Sequence, residues 1–207
     1  MITIIDYGLG NVQAFLNIYK KLHIPVQVAK NENDLEGASK LILPGVGHFD
    51  YAMQRFNDSG MREKVESLVL QNNVPVLGVC VGMQIMANSS EEGVESGLGW
   101  ISGTVKSFES IIKVDNNLPL PHMGWSSVTP NHKDLFNNID SGDLEFYFLH
   151  SYYFNCTSQE NCIADADYGL NFCCAINNNN IFGVQFHPEK SHHSGVNLLK
   201  NFAELEI

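Results

Sequence analysis

The sequence has few basic residues for its length. Lysine and arginine number 12 against 23 aspartates and glutamates in 207 residues, so the formal net charge is −11 at pH 7. The basic residues are scattered along the chain, and such a balance repels phosphate backbones. We therefore expect no nucleic acid as a partner.

Long apolar runs are also absent. No segment reaches the roughly 18 consecutive apolar residues that a membrane-spanning helix needs, and the first residues, Met1 to Asp6, carry no basic leader. With 44% hydrophobic residues, the chain can still bury one sizeable core. We expect a single domain over residues 1–207, located in the cytoplasm and not in a membrane.

Paired cysteine motifs and a complete dinucleotide fingerprint are missing. The five cysteines are odd in number, irregularly spaced and without a C-x-x-C pair, which disfavours a disulfide framework or a structural zinc site: Cys80, Cys156, Cys162, Cys173 and Cys174. Gly8 and Gly10 begin a glycine-rich loop, but the third glycine of the fingerprint would fall at Gln13. We expect neither a metal nor a cofactor.

The first half of the chain alternates apolar strands with amphipathic helices. Helical patterns cover 12–22 and 49–72, the latter broken near Ser59-Gly60, and strands are predicted at 2–5, 25–28, 40–43 and 74–79. This order is typical of a parallel sheet covered on both faces, with reactive loops at the carboxyl ends of the strands. The predicted fold class is α/β.

The second half predicts a smaller antiparallel portion. Glycine, proline and asparagine turns separate short apolar runs there, and a closing helix is predicted at 195–204. A little helix is also expected at 133–137. The predicted strands lie at 93–114, 123–128, 146–150, 173–176 and 181–186.

A cysteine flanked by glycines stands at the end of the fourth predicted strand. Cys80 lies between Gly78 and Gly82, just before a predicted helix start. Glycines suit a tight strand-to-helix turn in which a Cβ would clash. A helix N-terminus favours the thiolate, and its N–H groups can bind an oxyanion. The pattern indicates a nucleophile elbow, although a buried structural cysteine fits these residues equally well.

A candidate base and its orienting acid follow the last predicted strand. His187 ends the apolar run, Pro188 stiffens the turn, and Glu189 can fold back to accept a hydrogen bond from the imidazole. An isolated His-x-Glu is more often a structural histidine beside a solvated carboxylate. Together with the elbow at Cys80, it indicates a Cys-His-Glu triad.

Motifs in colinear order along nearly the whole chain resemble those of the class I triad glutamine amidotransferases. The resemblance is greatest to the glutaminase subunits of imidazole glycerol phosphate synthases, and it implies the class I glutamine amidotransferase fold. The matching segments are Asp6-Tyr7-Gly8-Leu9-Gly10-Asn11, Leu43-Pro44-Gly45-Val46-Gly47, Gly78 to Gln84, Gly97-Leu98-Gly99, Pro121-His122-Met123-Gly124-Trp125, His150-Ser151-Tyr152 and Gly183 to Ser191.

The resemblance implies a glutaminase mechanism. Cys80 is expected to attack the side-chain amide of L-glutamine and to form a γ-glutamyl thioester. His187 would protonate the departing ammonia and then activate water, while Glu189 orients His187. One oxyanion donor is expected from Val81 and the other from the loop at Val46 and Gly47.

Further residues are expected to bind glutamine or a partner chain. Gln84 lies one helical turn after Cys80 and so faces the same side. The expected glutamine contacts are Gly47, Gln84, Ser151 and Tyr152. The resemblance implies a heterodimer with a (β/α)₈-barrel cyclase subunit, which uses the ammonia to make imidazole glycerol phosphate and aminoimidazole carboxamide ribonucleotide in histidine biosynthesis. The expected interface residues are Tyr7, Gly8, Asn11 and Trp125.

Several residues depart from the histidine-pathway pattern: Gln13-Ala14-Phe15, Trp100, Ser126 and His192-His193. They resemble a paralogous branch that supplies ammonia for sugar amidation in surface-polysaccharide synthesis, so the ammonia acceptor stays open. Two functions of other classes also stay open, a stand-alone cysteine hydrolase of similar fold and a binding subunit without activity.

Overall fold

The computed structural model describes residues 1–109, 118–133, 135–139 and 144–206. The helices are α1 (Val12–Lys21), α2 (Phe49–Asp58), α3 (Arg62–Glu66), α4 (Val81–Gln84) and α5 (His192–Glu204). The strands are β1 (Ile2–Ile5), β2 (Val26–Ala29), β3 (Lys40–Gly45), β4 (Val76–Cys80), β5 (Ser89–Ser90), β6 (Gly103–Ser107), β7 (His122–Pro130), β8 (Glu145–His150), β9 (Tyr152–Cys156), β10 (Cys162–Asp167), β11 (Asn171–Asn178) and β12 (Ile181–Val184).

A nine-stranded sheet runs through the molecule in the order β2-β1-β3-β4-β12-β11-β10-β7-β8. The strands from β2 to β12 are parallel, and those from β12 to β8 are antiparallel. A second sheet has the order β5-β6-β9. The α/β fold class is therefore confirmed, and the antiparallel strands largely continue the parallel sheet.

The core lies on both faces of the parallel strands. Every residue of β1, β4 and β12 is buried, which explains why these strands read as continuous apolar runs. Helix α1 is joined to α5 by the Tyr19 hydroxyl, which donates to the Leu199 carbonyl at 3.1 Å. Among the described residues, no helix is long and apolar enough to cross a bilayer.

The parallel register brings the reactive loops to one edge of the sheet. Gly45 at the end of β3 stands beside Cys80 at the end of β4. On the other side, β12 pairs with β4, with Val184 beside Val79, so the segment after Val184 leaves the sheet next to Cys80. His187 is three residues further on.

The predicted elements of the first half agree with the structure to within a few residues, but several of the second half do not. Residues 93–102 are irregular rather than extended, while 110–114 lie outside the described residues. In place of the helix expected at 133–137, residues 135–138 form a turn, and residue 134 lies outside the described residues. Strands β9 and β10 were not predicted. For β10 the reason is that Cys162–Asp167 mixes alanine and aspartate, which have low strand propensity.

Candidate active site

Cys80 occupies a strained turn between β4 and α4. Its backbone φ is 56° and ψ is −115°, a conformation that residues with a side chain rarely adopt. A Cβ at Gly82 would lie 1.9 Å from the Leu43 carbonyl oxygen, and one at Gly78 would lie 2.6 Å from the Gly82 oxygen. The prediction that flanking side chains would clash is confirmed.

The helix that follows Cys80 is short. Helix α4 has only four residues, Val81–Gln84, so it carries little of the macrodipole of a long helix. Electrostatic support for a thiolate at Cys80 therefore depends on nearby N–H groups and on the facing imidazole more than on a helix dipole.

His187 is held between Cys80 and Glu189. Its Nδ1 lies 2.9 Å from Glu189 Oε1, and both side chains are almost fully buried. Its backbone N–H donates to the Tyr147 carbonyl at 2.8 Å, which fixes the segment after β12 against β8. Burial by itself would lower the pKa of His187, but hydrogen bonds of its ring with Cys80 and Glu189 outweigh burial and raise the pKa to about 9.

A cavity of about 350 Å³ opens beside this pair, and Glu189 lies behind His187 and outside its lining. The cavity brings together the expected nucleophile and base, the expected oxyanion donors and all four expected glutamine contacts. Its lining comprises Val46, Gly47, Cys80, Val81, Gln84, Glu92, Pro121, Leu149, His150, Ser151, Tyr152, His187 and Lys190.

Gln84 is held in the wall of this cavity by hydrogen bonds from its amide nitrogen. Nε2 donates to the Tyr152 carbonyl at 3.1 Å and to Gln185 Oε1 at 2.9 Å, which uses both of its hydrogens. The Gln185 amide in turn lies 3.8 Å from the Cys80 sulfur. The oxygen of Gln84 is therefore the atom that can accept a hydrogen bond from a ligand.

The loop expected to supply the second oxyanion donor begins where β3 ends. A Cβ at Gly45 would lie 2.3 Å from the Gly82 nitrogen, so the absence of a side chain lets β3 approach the elbow. Gly47 has φ of +91°, and nothing lies within 4 Å of where its Cβ would stand. Val46 and Gly47 thus border the nucleophile with space around them.

The four expected interface residues differ in accessibility. Gly8, Asn11 and Trp125 are not buried, and Trp125 is 46% exposed and stacks on His192 at 5.1 Å. Asn11 also caps α1, since its side chain accepts from the Ala14 N–H at 3.2 Å. Tyr7 is 2% exposed, so its side chain has no surface to offer a partner.

Sequence reasoning missed three polar residues of the cavity: Glu92, His150 and Lys190. Glu92 accepts from the Phe49 N–H at 2.8 Å, which fixes the irregular segment after β5 against α2. In the sequence, Glu91-Glu92 looks like an ordinary pair of solvent-exposed carboxylates, so nothing there indicates that Glu92 lines the cavity. Lys190 could have been predicted, because it directly follows the triad residue Glu189 in the sequence motif.

A chain of hydrogen bonds supports the back of the cavity. His150 Nδ1 donates to the Tyr152 carbonyl at 2.8 Å, because a carbonyl can only accept. In a neutral ring the His150 Nε2 then accepts, so His122 Nδ1 donates to it at 3.0 Å. The Ser126 hydroxyl donates to His122 Nε2 at 2.8 Å. Burial lowers the pKa of His122 to about 4 and of His150 to about 3, which keeps both rings neutral.

Within the described ranges, no group of three or more histidine, cysteine, aspartate or glutamate side chains is arranged to hold a metal ion.

Comparison with known proteins gives one consistent family. The model of the family "Glutamine amidotransferase class-I" matches residues 3–205. The chain is 57% identical to imidazole glycerol phosphate synthase subunit HisH of Bdellovibrio bacteriovorus over 99% of its length and 100% of that protein. It is 52% identical to the subunit of the same name from Leptospira interrogans, again over 99% and 100% of the two lengths.

Solved structures agree at the level of fold. A crystal structure of a glutamine amidotransferase superposes with a TM-score of 0.72 at 17% identity, covering 98% of this chain and 97% of that one. The structure of PurLQS from Thermotoga maritima gives a TM-score of 0.70 at 16% identity, covering 97% and 96%.

Proposed function

The chain belongs to the class-I glutamine amidotransferase family, and from that premise we propose that it is the glutaminase subunit of an imidazole glycerol phosphate synthase in histidine biosynthesis. The proposal rests on one observation, which is that Cys80 and His187 line the same cavity. The backbone φ of Cys80 is 56°, and the His187 ring is hydrogen-bonded to Glu189. This is the arrangement that nucleophilic catalysis by a thiol requires.

The raised pKa of His187, about 9, suits the first half of the reaction. At neutral pH the ring is protonated and faces the Cys80 sulfur. As Cys80 attacks the glutamine amide, the oxyanion is stabilised by N–H groups at Val81 and at the Val46 and Gly47 loop. His187 gives its proton to the departing ammonia and, now neutral, activates the water that hydrolyses the thioester to glutamate.

The cavity offers complementary groups to the amino-acid end of glutamine. Glu92 and the Gln84 oxygen can accept from an α-ammonium group, and Lys190 can pair with an α-carboxylate. A volume of about 350 Å³ lies at the small end of ligand pockets, as a single amino acid requires. Ser151 and Tyr152 complete the wall beside Gln84, where the Tyr152 carbonyl already accepts from Gln84 and His150.

An exposed apolar surface at the mouth of the cavity supports the proposal that a partner chain binds there. Val46 and Leu149 line the cavity and are 39% and 36% exposed. Met123 pairs with Leu149 across β7 and β8 and is 65% exposed, and Trp125 follows on the same face of β7 at 46%. We name these four residues the rim patch. A (β/α)₈-barrel cyclase subunit seated on it would cover the cavity and receive ammonia away from bulk water.

Two further expectations belong to this proposal. A single domain over residues 1–207 is supported by a family match that reaches from residue 3 to 205. A cytoplasmic location is supported by the five cysteines, all of them unpaired, because reducing compartments keep thiols free.

The proposed chemistry is tested by glutamate release in the presence of the barrel subunit encoded in the same genome. Cys80→Ala should abolish partner-stimulated release, while the matched change Cys156→Ser, at a strand end outside the cavity, should retain it. An electrophilic glutamine analogue should label Cys80 alone among the five cysteines. Full activity of Cys80→Ala would overturn the assignment of the nucleophile.

The ammonia acceptor is tested in the same complex. Glutamine-dependent formation of imidazole glycerol phosphate is the expected result. Activity only with a partner that amidates a sugar would instead assign the chain to polysaccharide synthesis. Hydrolysis of γ-glutamyl peptides without any partner would indicate a stand-alone hydrolase.

A further inference from the structure

A cluster of thiols outside the active site has no role in the proposed reaction. Cys156, at the end of β9, and Cys173, in β11, bring their sulfur atoms to 3.8 Å. Cys162, the first residue of β10, approaches the same group and lies 3.4 Å from Asp165 Oδ1. Three cysteines from three strands therefore converge, although they are spread over 18 residues of sequence.

These thiols face a cavity of their own. It has a volume of about 190 Å³, is separate from the cavity at Cys80, and is lined in part by Cys156, Cys162 and Cys173. Liquid water occupies about 30 Å³ per molecule, so a reagent only slightly larger than water fits. Cys156 and Cys173 are both partly exposed, which gives such a reagent access to the pair.

We propose that Cys156 and Cys173 form an oxidation site, at which a hydroperoxide such as hydrogen peroxide converts the two thiols into a disulfide. The Cys156 thiolate attacks the peroxide oxygen, the O–O bond breaks, and the departing hydroxide takes a proton to become water. The resulting Cys156 sulfenic acid is attacked by the Cys173 sulfur, and the hydroxyl leaves with the Cys173 proton as a second water. The two sulfurs lose two electrons in total, and the peroxide gains them.

The geometry needs only a small adjustment. A disulfide bond is about 2.05 Å long, so the sulfur atoms, now 3.8 Å apart, must approach by about 1.8 Å. Strands β9 and β11 belong to different sheets, so the bond would join the two sheets.

The environment also separates the roles of the two thiols. The contact with Cys173 lowers the pKa of Cys156, and the same contact raises the pKa of Cys173. Cys156 is therefore the thiol that reaches the nucleophilic form first, and Cys173 is the one that resolves the sulfenic acid.

The neighbouring cysteines serve as internal comparisons. Cys174 follows Cys173 on the same strand, but it points to the other side of the sheet, is fully buried, and has a pKa raised by that burial. Cys162 is buried, at 5% exposure, whereas Cys156 and Cys173 are partly exposed. Neither is expected to take part in the bond.

The test uses the folded full-length chain carrying Cys80→Ala, so that the proposed nucleophile does not consume the oxidant. After treatment of the folded chain with a small excess of hydrogen peroxide, the intact mass should fall by two hydrogens. The thiols titrated after denaturation should fall from four to two. Digestion without reductant should give one linked peptide pair joining Cys156 to Cys173, which a reductant separates.

Variants built on the same background decide the assignment. Adding Cys156→Ser or Cys173→Ser should prevent the loss of two hydrogens, while adding Cys162→Ser should leave the link intact. A link through Cys162 or Cys174, a link between two chains, or a sulfinic acid at Cys156 without any link would each overturn the proposal. Circular dichroism before and after oxidation verifies that the chain stays folded throughout.

Discussion

At the scale of single residues, Glu189 shows an arrangement that favours function over stability. One carboxylate oxygen bonds the His187 ring at 2.9 Å, and the other is buried without a hydrogen-bond partner among the described residues. A buried and half-satisfied carboxylate is costly unless a positive charge lies beside it. The buried carboxylate of Glu189 therefore has the His187 ring as its stabilising partner, and Glu189 helps to keep that ring protonated.

Replacing Glu189 with glutamine keeps the shape and removes the charge. The pKa of His187, about 9 in the intact protein, should fall, because one of the two contacts that oppose the effect of burial is lost. The imidazole then loses its proton at lower pH, so the alkaline limb of the pH profile of kcat should move to lower pH. We expect Glu189→Gln to lower kcat by about 10²- to 10⁴-fold, measured as partner-stimulated glutamate release.

The exposed Glu160 provides the matched control for this change. Glu160→Gln should leave both kcat and the pH profile as they are. An unchanged alkaline limb in Glu189→Gln would contradict the assignment of Glu189 as the residue that keeps His187 protonated.

At the scale of elements, the elbow depends on the close approach of β3, β4 and α4. A methyl group at Gly82 would meet the Leu43 carbonyl at 1.9 Å, and neither backbone can move without disturbing the sheet. We expect Gly82→Ala to lower the free energy of unfolding by about 3 kcal/mol. Urea denaturation measures this effect.

Gly37→Ala is the control that distinguishes the steric clash expected at Gly82 from the cost of backbone strain at a positive φ. Gly37 has φ of +71° but nothing within 4 Å of where a Cβ would stand. The substitution should therefore cost only about 1 kcal/mol. Equal costs at the two positions would show that the tight packing around Gly82 does not determine its identity.

The hydrogen-bond chain from Ser126 through His122 to His150 gives a second prediction for an element. Unfolded histidine titrates near pH 6.5, but burial lowers the pKa of His122 to about 4 and of His150 to about 3. As pH falls from 6 to 4, the unfolded chain binds protons that the folded chain does not, so stability is lost. Each ring should add about 1.4 kcal/mol per pH unit to the slope of unfolding free energy against pH.

Urea denaturation of His122→Asn between pH 4 and 6 measures the contribution of one ring. Its slope should be smaller than that of the unchanged chain by about 1.4 kcal/mol per pH unit near pH 5. This difference does not depend on the absolute stability of the variant. His132→Asn, at an exposed position, should leave the slope unchanged. A slope retained in His122→Asn would contradict a neutral His122 in the folded state.

The elements also show what sequence could and could not predict. The strands of the first half and Cys80 at the end of β4 were predictable, because continuous apolar runs and glycines report local constraints. The length of α4 was not, since Ile85 and Met86 continue an apolar pattern that tertiary packing interrupts. Glu92 and the His122 to His150 contact depend on pairing between distant segments, which a single sequence does not encode locally.

At the scale of the whole molecule, the cavity is built where parallel and antiparallel strands of one sheet meet. The elbow comes from the parallel part, and Leu149 and His150 come from the antiparallel strand β8. The antiparallel strands β7 and β8 carry three of the four rim-patch residues, Met123, Trp125 and Leu149. A partner on this patch therefore touches the element that forms one wall of the active site, which favours coupling between docking and turnover.

The rim patch leads to a prediction for assembly. Trp125 is 46% exposed and lies beside Met123, so it has the character of an aromatic anchor in a partner interface. Trp125→Ala should weaken binding to the barrel subunit by about 30-fold, which corresponds to about 2 kcal/mol, as measured by calorimetric titration. Labelling of Cys80 by an electrophilic glutamine analogue in the isolated chain should not change, because Trp125 does not line the cavity.

Leu70→Ala is the matched control for assembly. Leu70 is 52% exposed and lies just before β4 begins, near the opposite edge of the sheet from Cys80. Its loss should change the dissociation constant less than about threefold, as for most surface residues away from an interface. Equal affinity of Trp125→Ala and the unchanged chain would place the partner on another surface, and the apolar rim of the cavity would then need a different explanation.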